Sequence, residues 1–363
     1  MRSWVEVSLG QIRANFRAVK ALVGERVEVM PVVKADAYRH GAVAVSHALE
    51  SEGARWLAVS NLHEGVLLRE SGIQSRILVM ADSITHSDEH NILAAHQLTP
   101  VVHSLEDLAY VRVPYHLKID SGMGRLGTRA TAPEIAGVIT KTKPPIEGLM
   151  THFASSGNYE SKQTDEQLQY FETVLDGLQA LGIHPPFVHS AATIPVAYKR
   201  REAWGNLVRP GHAIYGYVSP AKAGPRAALE VVPALTWKVT VLEVKDIPEG
   251  ALIGYGGIHR AARPSRIAIL AAGYADGIPH RLGNRGQVIV KGRFAPIVGS
   301  VSMDLTTIDT TDIPGVVPGD AVILLGSDGD VSINAQQMAR WAGTISYAVL
   351  CGIHARVKRV YVD

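Results

Sequence analysis

Short apolar runs alternate with longer segments of helical periodicity along the first part of the chain. The runs are residues 29–33, 56–59, 76–80, 98–102, 115–119, 146–150, 186–188 and 206–208. The first run carries no charge and is mostly β-branched, which is typical of a strand buried on both faces of a parallel sheet. Because these eight runs alternate with helices, the pattern predicts an α/β fold, a (β/α)8 TIM barrel.

The pattern changes after a turn-rich segment, SPAKAGPRAA, which begins at Ser219. Beyond it, strand-like runs such as ALTWKVTVLEV, RIAILAAG and QVIVKG replace the helical periodicity. We therefore predict two domains, an N-terminal barrel over residues 1–225 and a C-terminal β-rich domain over residues 226–363.

Polar residues follow the predicted barrel strands at their carboxyl ends, where barrel enzymes have their active sites. These residues are Lys34, Tyr38, Arg125, His152, Ser190 and Arg209. A lysine amine is normally protonated and unreactive, so a covalent role requires a site that lowers its pKa or a carbonyl cofactor that captures it. Lys34 ends an apolar strand and is the candidate for such a role, although a solvated lysine at a strand end is the simpler alternative.

The segment SGMGRLG offers a competing interpretation, because Gly122, Gly124 and Gly127 form the pattern GxGxxG. In a dinucleotide-binding fold this pattern follows the first strand, and an acidic residue ends the next strand. Here the pattern follows four earlier strand and helix units, and Glu147 lies near the start of its strand. A dinucleotide site is therefore disfavoured, and we expect the glycines to let the loop approach a cofactor closely.

Composition narrows the class of protein further. The 363 residues are 47% hydrophobic and 19% charged, with a net charge of +2 and no basic stripe, which disfavours nucleic acid as a partner. The single cysteine, Cys351, cannot form an intrachain disulfide and fits a reducing compartment. The N-terminus does not read as a secretory signal and no stretch approaches a membrane span, so we expect a cytoplasmic protein with no membrane partner.

Several motifs together resemble the alanine racemases that depend on pyridoxal 5'-phosphate (PLP). In chain order they are VVKADAYRHG from Val32, HLKIDSGMGRLG from His116, THF from Thr151, VRPGHAIYG from Val208, GYGG around Tyr255, GYADG around Tyr274, VGSVSMD from Val298 and ISY ending at Tyr347. The resemblance covers essentially the whole chain. It implies interconversion of L- and D-alanine, a supply of D-alanine for peptidoglycan, PLP as cofactor and no metal. It also implies that the first strand, about residues 1–10, packs with the C-terminal domain.

The resemblance implies two catalytic bases. Lys34 would hold the cofactor covalently and then move the α-proton on one face of the substrate, while Tyr255 would act on the opposite face. Racemisation needs both faces, because a planar carbanion must gain its new proton from the side opposite the one that lost it. In this family the tyrosine serves the other subunit's site, so a homodimer with shared active sites is implied.

The remaining site residues are also assigned by the resemblance. Arg209 would face the pyridine nitrogen and weaken the ring as an electron sink, because a guanidinium only donates hydrogen bonds. His152 would lie beside the ring, and Arg125 would bind the cofactor's phenolic oxygen or the substrate carboxylate, oriented by Lys118 if that lysine is carbamylated. The phosphate would be held by Tyr38, Ser190, Tyr347 and the backbone near Gly211 and His212, and the substrate pocket would be lined by Met303, Asp304 and Tyr274.

Two departures and three alternatives accompany this assignment. His189 stands where many family members carry an asparagine, and Arg39 where they carry a glycine. The alternatives are a racemase for a larger amino acid, a fold-related decarboxylase and a non-catalytic PLP-binding protein. A decarboxylase would place a carboxylate at the position of Arg209, and the binding proteins lack the domain that carries Tyr255.

Overall fold

A computed structural model describes residues 1–82 and 87–363. The chain forms two compact units. The barrel unit comprises Gly10–Ala37 and Ala42–Val232, and the β unit comprises Met1–Leu9, Tyr38–Gly41 and Pro233–Asp363. The segment Tyr38–Gly41 therefore belongs to a different unit from the residues on either side of it.

Most barrel strands follow the predicted runs closely. In chain order, the strands of the described residues are β1 (Ser3–Ser8), β2 (Glu28–Val29), β3 (Trp56–Val59), β4 (Arg76–Val79), β5 (Leu98–Val102), β6 (Tyr115–Lys118), β7 (Ile146–Met150), β8 (Phe187–His189), β9 (Leu207–Val208), β10 (Leu235–Ile247), β11 (Leu252–Ile253), β12 (His259–Arg260), β13 (Ser265–Leu270), β14 (Gln287–Val290), β15 (Arg293–Pro296), β16 (Thr306–Asp309), β17 (Ala321–Asp328), β18 (Val331–Ile333) and β19 (Lys358–Val362). Every residue of β3, β5 and β6 is buried, as expected for strands covered on both faces.

The barrel unit is built from parallel strands. Strands β3 to β8 pair in chain order, and β2 pairs with β9. Isolated parallel bridges between Val32 and Ala58 and between Ala192 and Arg209 connect the two groups of strands. The strands therefore close on themselves, which confirms the predicted α/β barrel.

Helices follow most of the barrel strands, although only a 3-10 turn lies between β5 and β6, and the last two helices of the chain belong to the β unit. The helices are α1 (Leu9–Val23), α2 (Lys34–Arg39), α3 (Ala42–Ser51), α4 (Leu62–Glu70), α5 (Ser87–Ala95), α6 (Ala132–Ile139), α7 (Gln163–Ala180), α8 (Thr193–Ala197), α9 (Ala335–Ala342) and α10 (Ser346–Gly352). Helix α1 is amphipathic and buries Ile12, Phe16, Val19 and Val23 at helical spacing. No helix within residues 1–82 and 87–363 is long and apolar enough to cross a membrane.

Helix α2 is left-handed. Its residues from Ala35 to Arg39 have φ angles between 53° and 67°, and none of them is glycine. A left-handed turn costs an L-residue roughly 1–2 kcal/mol, because Cβ approaches the carbonyl oxygen. Contacts from the surrounding structure must therefore hold this segment, which directly follows Lys34.

The β unit is strand-rich, as the sequence predicts. Its main sheet has the order β15-β14-β17-β10-β1-β19, and β13 joins β10 to β16. Strand β1 is antiparallel to β10 and parallel to β19. Trp237 of β10 is fully buried, and its Nε1 donates to Ser3 Oγ at 2.8 Å. The first strand of the chain thus lies in the middle of the β unit's sheet.

Candidate active site

Lys34 is placed by the hydrogen bonds of the two residues before it. The amide of Val32 donates to Pro210 O at 2.9 Å, and the amide of Val33 donates to Ala58 O at 2.8 Å. These bonds tie the segment between the neighbouring strands β9 and β3. Lys34 therefore lies just beyond the carboxyl end of its barrel strand, as the sequence predicts.

The charges of three other cations act on Lys118 at this end of the barrel. Lys118, the buried last residue of β6, has its pKa lowered to about 8 by burial and then by the charges of Arg125, Arg209 and Lys34, while Asp120 acts in the opposite direction. Such charge effects require proximity. The sequence motifs that contain Lys34, Lys118, Arg125 and Arg209 are thus brought together in one strongly positive region.

Arg125 is carried on a loop that is anchored by Asp120. The Asp120 carboxylate accepts hydrogen bonds from the amides of Gly122, Met123 and Gly124 at 3.1, 2.9 and 3.0 Å. Burial alone would raise the pKa of Asp120, but the three amide bonds outweigh it and lower the pKa. The carboxylate therefore stays ionised and holds the start of the loop against the end of β6.

Gly127 explains the glycine pattern differently from the sequence prediction. Its φ is +122°, and a Cβ at this position would lie 2.7 Å from the amide nitrogen of Asp120. The loop folds back on β6, with Thr128 N bonded to Lys118 O and Asp120 N bonded to Thr128 O, each at 2.9 Å. The close approach at Gly127 is thus to the chain's own backbone, and the approach of the glycine loop to a cofactor stays a prediction. No helix follows until α6, which argues against a dinucleotide site.

Arg209 is buried and surrounded by neutral acceptors. Its Nη2 donates to Thr151 O at 2.7 Å and Ser190 O at 3.1 Å, and its Nη1 donates to His189 O at 2.9 Å. Burial lowers the pKa of Arg209 to about 9, which leaves the side chain protonated at neutral pH. The guanidinium is therefore a fixed cation whose bonds leave its charge unneutralised.

Two buried histidines continue from Arg209 through the barrel. Arg209 Nη1 lies 2.7 Å from His189 Nδ1, and His189 Nε2 lies 2.7 Å from His116 Nδ1. Arginine can only donate, so His189 accepts at Nδ1 and donates from Nε2 to His116. His116 Nε2 then carries its proton and lies 3.9 Å from the carboxylate of Glu147.

Both histidines are neutral. Burial and then the charges of Arg76 and Arg209 lower the pKa of His116 to about 3. Burial, Arg209 and His116 hold the pKa of His189 well below its usual range. Gly148 makes room for this pair, because a side chain there would collide with the His116 ring. The sequence analysis missed His116, whose signal was its position two residues before Lys118 on the same face of β6.

His152 lies beside Arg209, with its Nδ1 3.5 Å from Arg209 Nη2. Burial, followed by the charges of Arg209, Lys118 and Arg125, lowers the pKa of His152 to about 3. This histidine is therefore a neutral ring next to the cations.

The other barrel residues expected at a phosphate site lie on turns after β8 and β9. The Ser190 hydroxyl is buried and donates to Ala203 O. The amides of Gly211 and Ala213 donate to Thr193 Oγ1 at 3.2 and 3.3 Å. The His212 ring stacks on Tyr217 at 4.9 Å between centroids. Thr193 was not predicted, although its place in the SAAT segment next to Ser190 was the available signal.

Tyr38 and Tyr347 form a pair within the β unit, with ring centroids 6.1 Å apart. Burial raises the pKa of both hydroxyls, and Tyr347 and Cys351 raise that of Tyr38 further. Both tyrosines therefore keep their protons and can donate to an anion. Arg39, next to Tyr38, donates from Nε to Cys351 O at 3.3 Å, so this departure from the family pattern binds helix α10.

The other predicted residues of the β unit lie largely on its surface. Tyr255 is 77% exposed, in a turn that follows β11, and Met303 and Tyr274 are also exposed. Asp304 accepts from Arg356 Nη2 at 2.7 Å. The same guanidinium makes two bonds to Asp276 at 2.8 and 2.9 Å, so Asp304 belongs to a cluster of ion pairs.

Comparisons with known proteins agree with this architecture. Residues 7–220 match the family model described as alanine racemase, N-terminal domain, and residues 234–361 match alanine racemase, C-terminal domain. An alanine racemase of Halothermothrix orenii is 40% identical over 372 residues, covering 99% of this chain and 96% of the relative. The solved alanine racemase of Clostridium difficile 630 has a TM-score of 0.92 at 31% identity and covers 100% of this chain and 96% of its own.

A second solved structure bears on the cofactor. The alanine racemase of Bartonella henselae, with covalently bound pyridoxal phosphate, has a TM-score of 0.87 at 26% identity and covers 100% of both chains. A barrel that gathers lysines, arginines and a neutral histidine at its strand ends, together with a strand-rich domain, defines the class of PLP-dependent barrel enzymes. Within that class, the chain belongs to the alanine racemase family. Members of this family depend on PLP.

Proposed function

We propose that this protein is a PLP-dependent alanine racemase that interconverts L- and D-alanine. The observation that carries the proposal is the grouping of Lys34 with Lys118, Arg125 and Arg209. Burial and then the charges of the other three residues lower the pKa of Lys118. A nucleophilic amine within a cationic region suits a ligand that carries both an aldehyde and anionic groups. Family membership over both units supports the same conclusion.

The residues present fit PLP. Its phosphate and phenolic oxygen are negatively charged, and the charges that act on Lys118 are those of three cations, Arg125, Arg209 and Lys34, and one carboxylate, Asp120. The protonated hydroxyls of Tyr38 and Tyr347 are suitable donors to a phosphate. When bound, PLP supplies an electron-withdrawing ring that makes the α-proton of an attached amino acid acidic.

Arg209 would influence the protonation of the pyridine nitrogen, because its guanidinium can only donate hydrogen bonds. It has no acceptor atom, so it could donate a hydrogen bond to an unprotonated pyridine nitrogen but could not accept one from a protonated pyridine nitrogen. Neutral His189 and His116 behind it supply no negative charge that would offset the guanidinium. We propose that this arrangement keeps the pyridine nitrogen unprotonated and limits side reactions such as transamination.

Lys118 fits the role of a carbamylated lysine. With its pKa lowered to about 8, roughly a tenth of the amine is neutral at pH 7, far more than for an ordinary lysine, and the neutral amine is the form that attacks carbon dioxide. The product would be an anion among cations, and it would orient Arg125 toward a substrate carboxylate or the cofactor's phenolic oxygen.

We further propose a homodimer in which Tyr255 is the second base and acts on the other subunit's substrate. The 77% exposure of this tyrosine supports the idea that its partner lies outside its own unit. Met303, Asp304 and Tyr274 are proposed to restrict the pocket to a side chain as small as methyl. In the cell the protein would supply D-alanine for peptidoglycan from the cytoplasm.

Optical conversion of alanine tests the proposal. Purified protein is incubated with PLP and either L-alanine or D-alanine, and the enantiomers are separated by chiral chromatography over time. Both reactions are expected to converge on a nearly equal mixture, because enantiomers have equal free energies, and Lys34→Ala should abolish conversion. Conversion of another amino acid in preference to alanine, or release of carbon dioxide, would overturn the proposal in favour of a broader racemase or a decarboxylase.

A further inference from the structure

Glu64 bonds directly to the peptide that follows Lys34. Its Oε1 accepts from Ala35 N at 2.7 Å, and its Oε2 accepts from Ser60 N at 2.6 Å. We propose that Glu64 is a positioning residue that fixes the direction in which the Lys34 side chain leaves the backbone. This inference rests on the proposed function, in which the Lys34 amine is the covalent attachment point for PLP.

The peptide held by Glu64 lies at the start of the left-handed helix α2. Positive φ angles begin at Ala35, where φ is 54°. The first amides of any helix lack partners within it, and the bond from Ala37 N to Val33 O at 2.9 Å comes two residues later. Glu64, which lies on helix α4, thus supplies the acceptor for the Ala35 amide that helix α2 itself does not provide. Holding this peptide plane limits the ψ angle of Lys34 and so limits where its Cβ points.

Glu64 is itself firmly placed. Its amide donates to Oδ1 of Asn61, the N-cap of α4, at 3.0 Å. The amide of Leu62 donates to Asp82 Oδ2 at 2.6 Å. A carboxylate in the first turn also interacts favourably with the helix dipole. The carboxylate therefore connects a rigid helix start and the end of β3 to the peptide after Lys34.

Both carboxylate oxygens are used, so the residue type matters. A glutamine would offer one oxygen, while its amide nitrogen would face a second N–H group with no acceptor. An alanine would leave both amides without this partner. Covalent attachment is therefore expected to be fastest in the natural protein, slower in Glu64→Gln and slowest in Glu64→Ala.

The experiment separates placement of the lysine from binding of the cofactor. Apoprotein is mixed with PLP, the bond to lysine is trapped with borohydride at timed intervals, and labelling of Lys34 is quantified by mass spectrometry. Binding of 4'-deoxypyridoxine 5'-phosphate, which lacks the aldehyde, is measured by fluorescence quenching. Glu70→Ala is the matched control, because it removes an exposed glutamate from the same helix, and Asn61→Ala removes the α4 cap that holds Glu64.

For Glu64→Ala we expect labelling of Lys34 to slow by about 10- to 100-fold, since small misplacements of a reacting group have effects of that size. The affinity for the aldehyde-free analogue should stay within about threefold of the natural protein, because that analogue makes no bond to lysine. Glu70→Ala should label at the natural rate, and Asn61→Ala should slow labelling less than Glu64→Ala does, because it loosens Glu64 without removing its carboxylate. Unchanged labelling in Glu64→Ala, or an equal loss of labelling and analogue binding, would overturn the inference. If the natural protein itself fails to label at Lys34, the proposed function fails first and this inference fails with it.

Discussion

Replacing His116 with glutamine should change how strongly the protein's stability depends on pH. His116 is fully buried, and its pKa is lowered from 6.5 to about 3 by burial and by the charges of Arg76 and Arg209. Glutamine keeps an acceptor for the bond from His189 Nε2 but does not titrate. The substitution therefore removes a proton-binding group while retaining the hydrogen bond.

The sign follows from the lowered pKa. Below pH 6.5 the unfolded chain binds a proton at this histidine, whereas the folded protein does not bind it until about pH 3. The stabilisation that comes from keeping His116 neutral is therefore fully present above the pKa of the unfolded chain. It is lost as the pH falls from that value toward the pKa in the folded protein. The slope approaches about 1.4 kcal/mol per pH unit for one histidine, which amounts to roughly 2 kcal/mol at pH 5.

Urea unfolding of the apoprotein between pH 7 and pH 4.5, at one protein concentration, measures this slope. As the pH is lowered, the free energy of unfolding should fall less steeply for His116→Gln than for the natural protein. The difference between the two slopes should approach about 1.4 kcal/mol per pH unit. The control is His63→Gln, which makes the same substitution at an exposed histidine. A slope for His116→Gln equal to that of the natural protein would refute the claim that His116 is neutral in its hydrogen-bonded pair with His189.

Further predictions concern the Arg125 loop and the proposed shared site. Gly127→Ala should destabilise the protein by more than about 2 kcal/mol in urea unfolding, because the new Cβ would meet backbone at 2.7 Å. Gly124→Ala, whose Cβ would meet nothing within 4 Å, should cost only about 1 kcal/mol, and equal losses would refute the backbone-contact explanation. Lys34→Ala and Tyr255→Phe subunits should be inactive alone but regain part of the activity when mixed, since one intact site forms per mixed dimer. Absence of recovery in mixed dimers demonstrated by mass spectrometry would contradict a shared site.

The strand pattern was predictable because burial leaves a local signal in the sequence. The runs that became β3, β5 and β6 are buried in every residue. Strand β3 is apolar along its whole length, whereas β5 includes Thr99 and β6 includes His116 and Lys118. The predicted run of residues 29–33 was too long, since β2 is only Glu28–Val29. Pro31 follows closely and has no N–H to contribute to a ladder.

The left-handed helix and the histidine pair could not be predicted in the same way. Nothing in the letters ADAYR indicates positive φ, because the conformation is held by tertiary contacts such as the bond from Ala35 N to Glu64. His116 and His189 are 73 residues apart, and only closure of the barrel places their rings together. The motifs indicated candidate residues for the chemistry, whereas the residues that hold these candidates in place could be recognised only from the fold.

The most direct test of the two-base account is α-proton exchange in deuterated water. The protein is given PLP and either enantiomer of alanine, and α-deuterium incorporation and optical inversion are followed together for the natural protein, Lys34→Ala and Tyr255→Phe. The account predicts inversion with deuterium incorporation from both enantiomers in the natural protein, and loss of inversion in each variant. Undiminished inversion in Tyr255→Phe would contradict the assignment of this tyrosine as the second base.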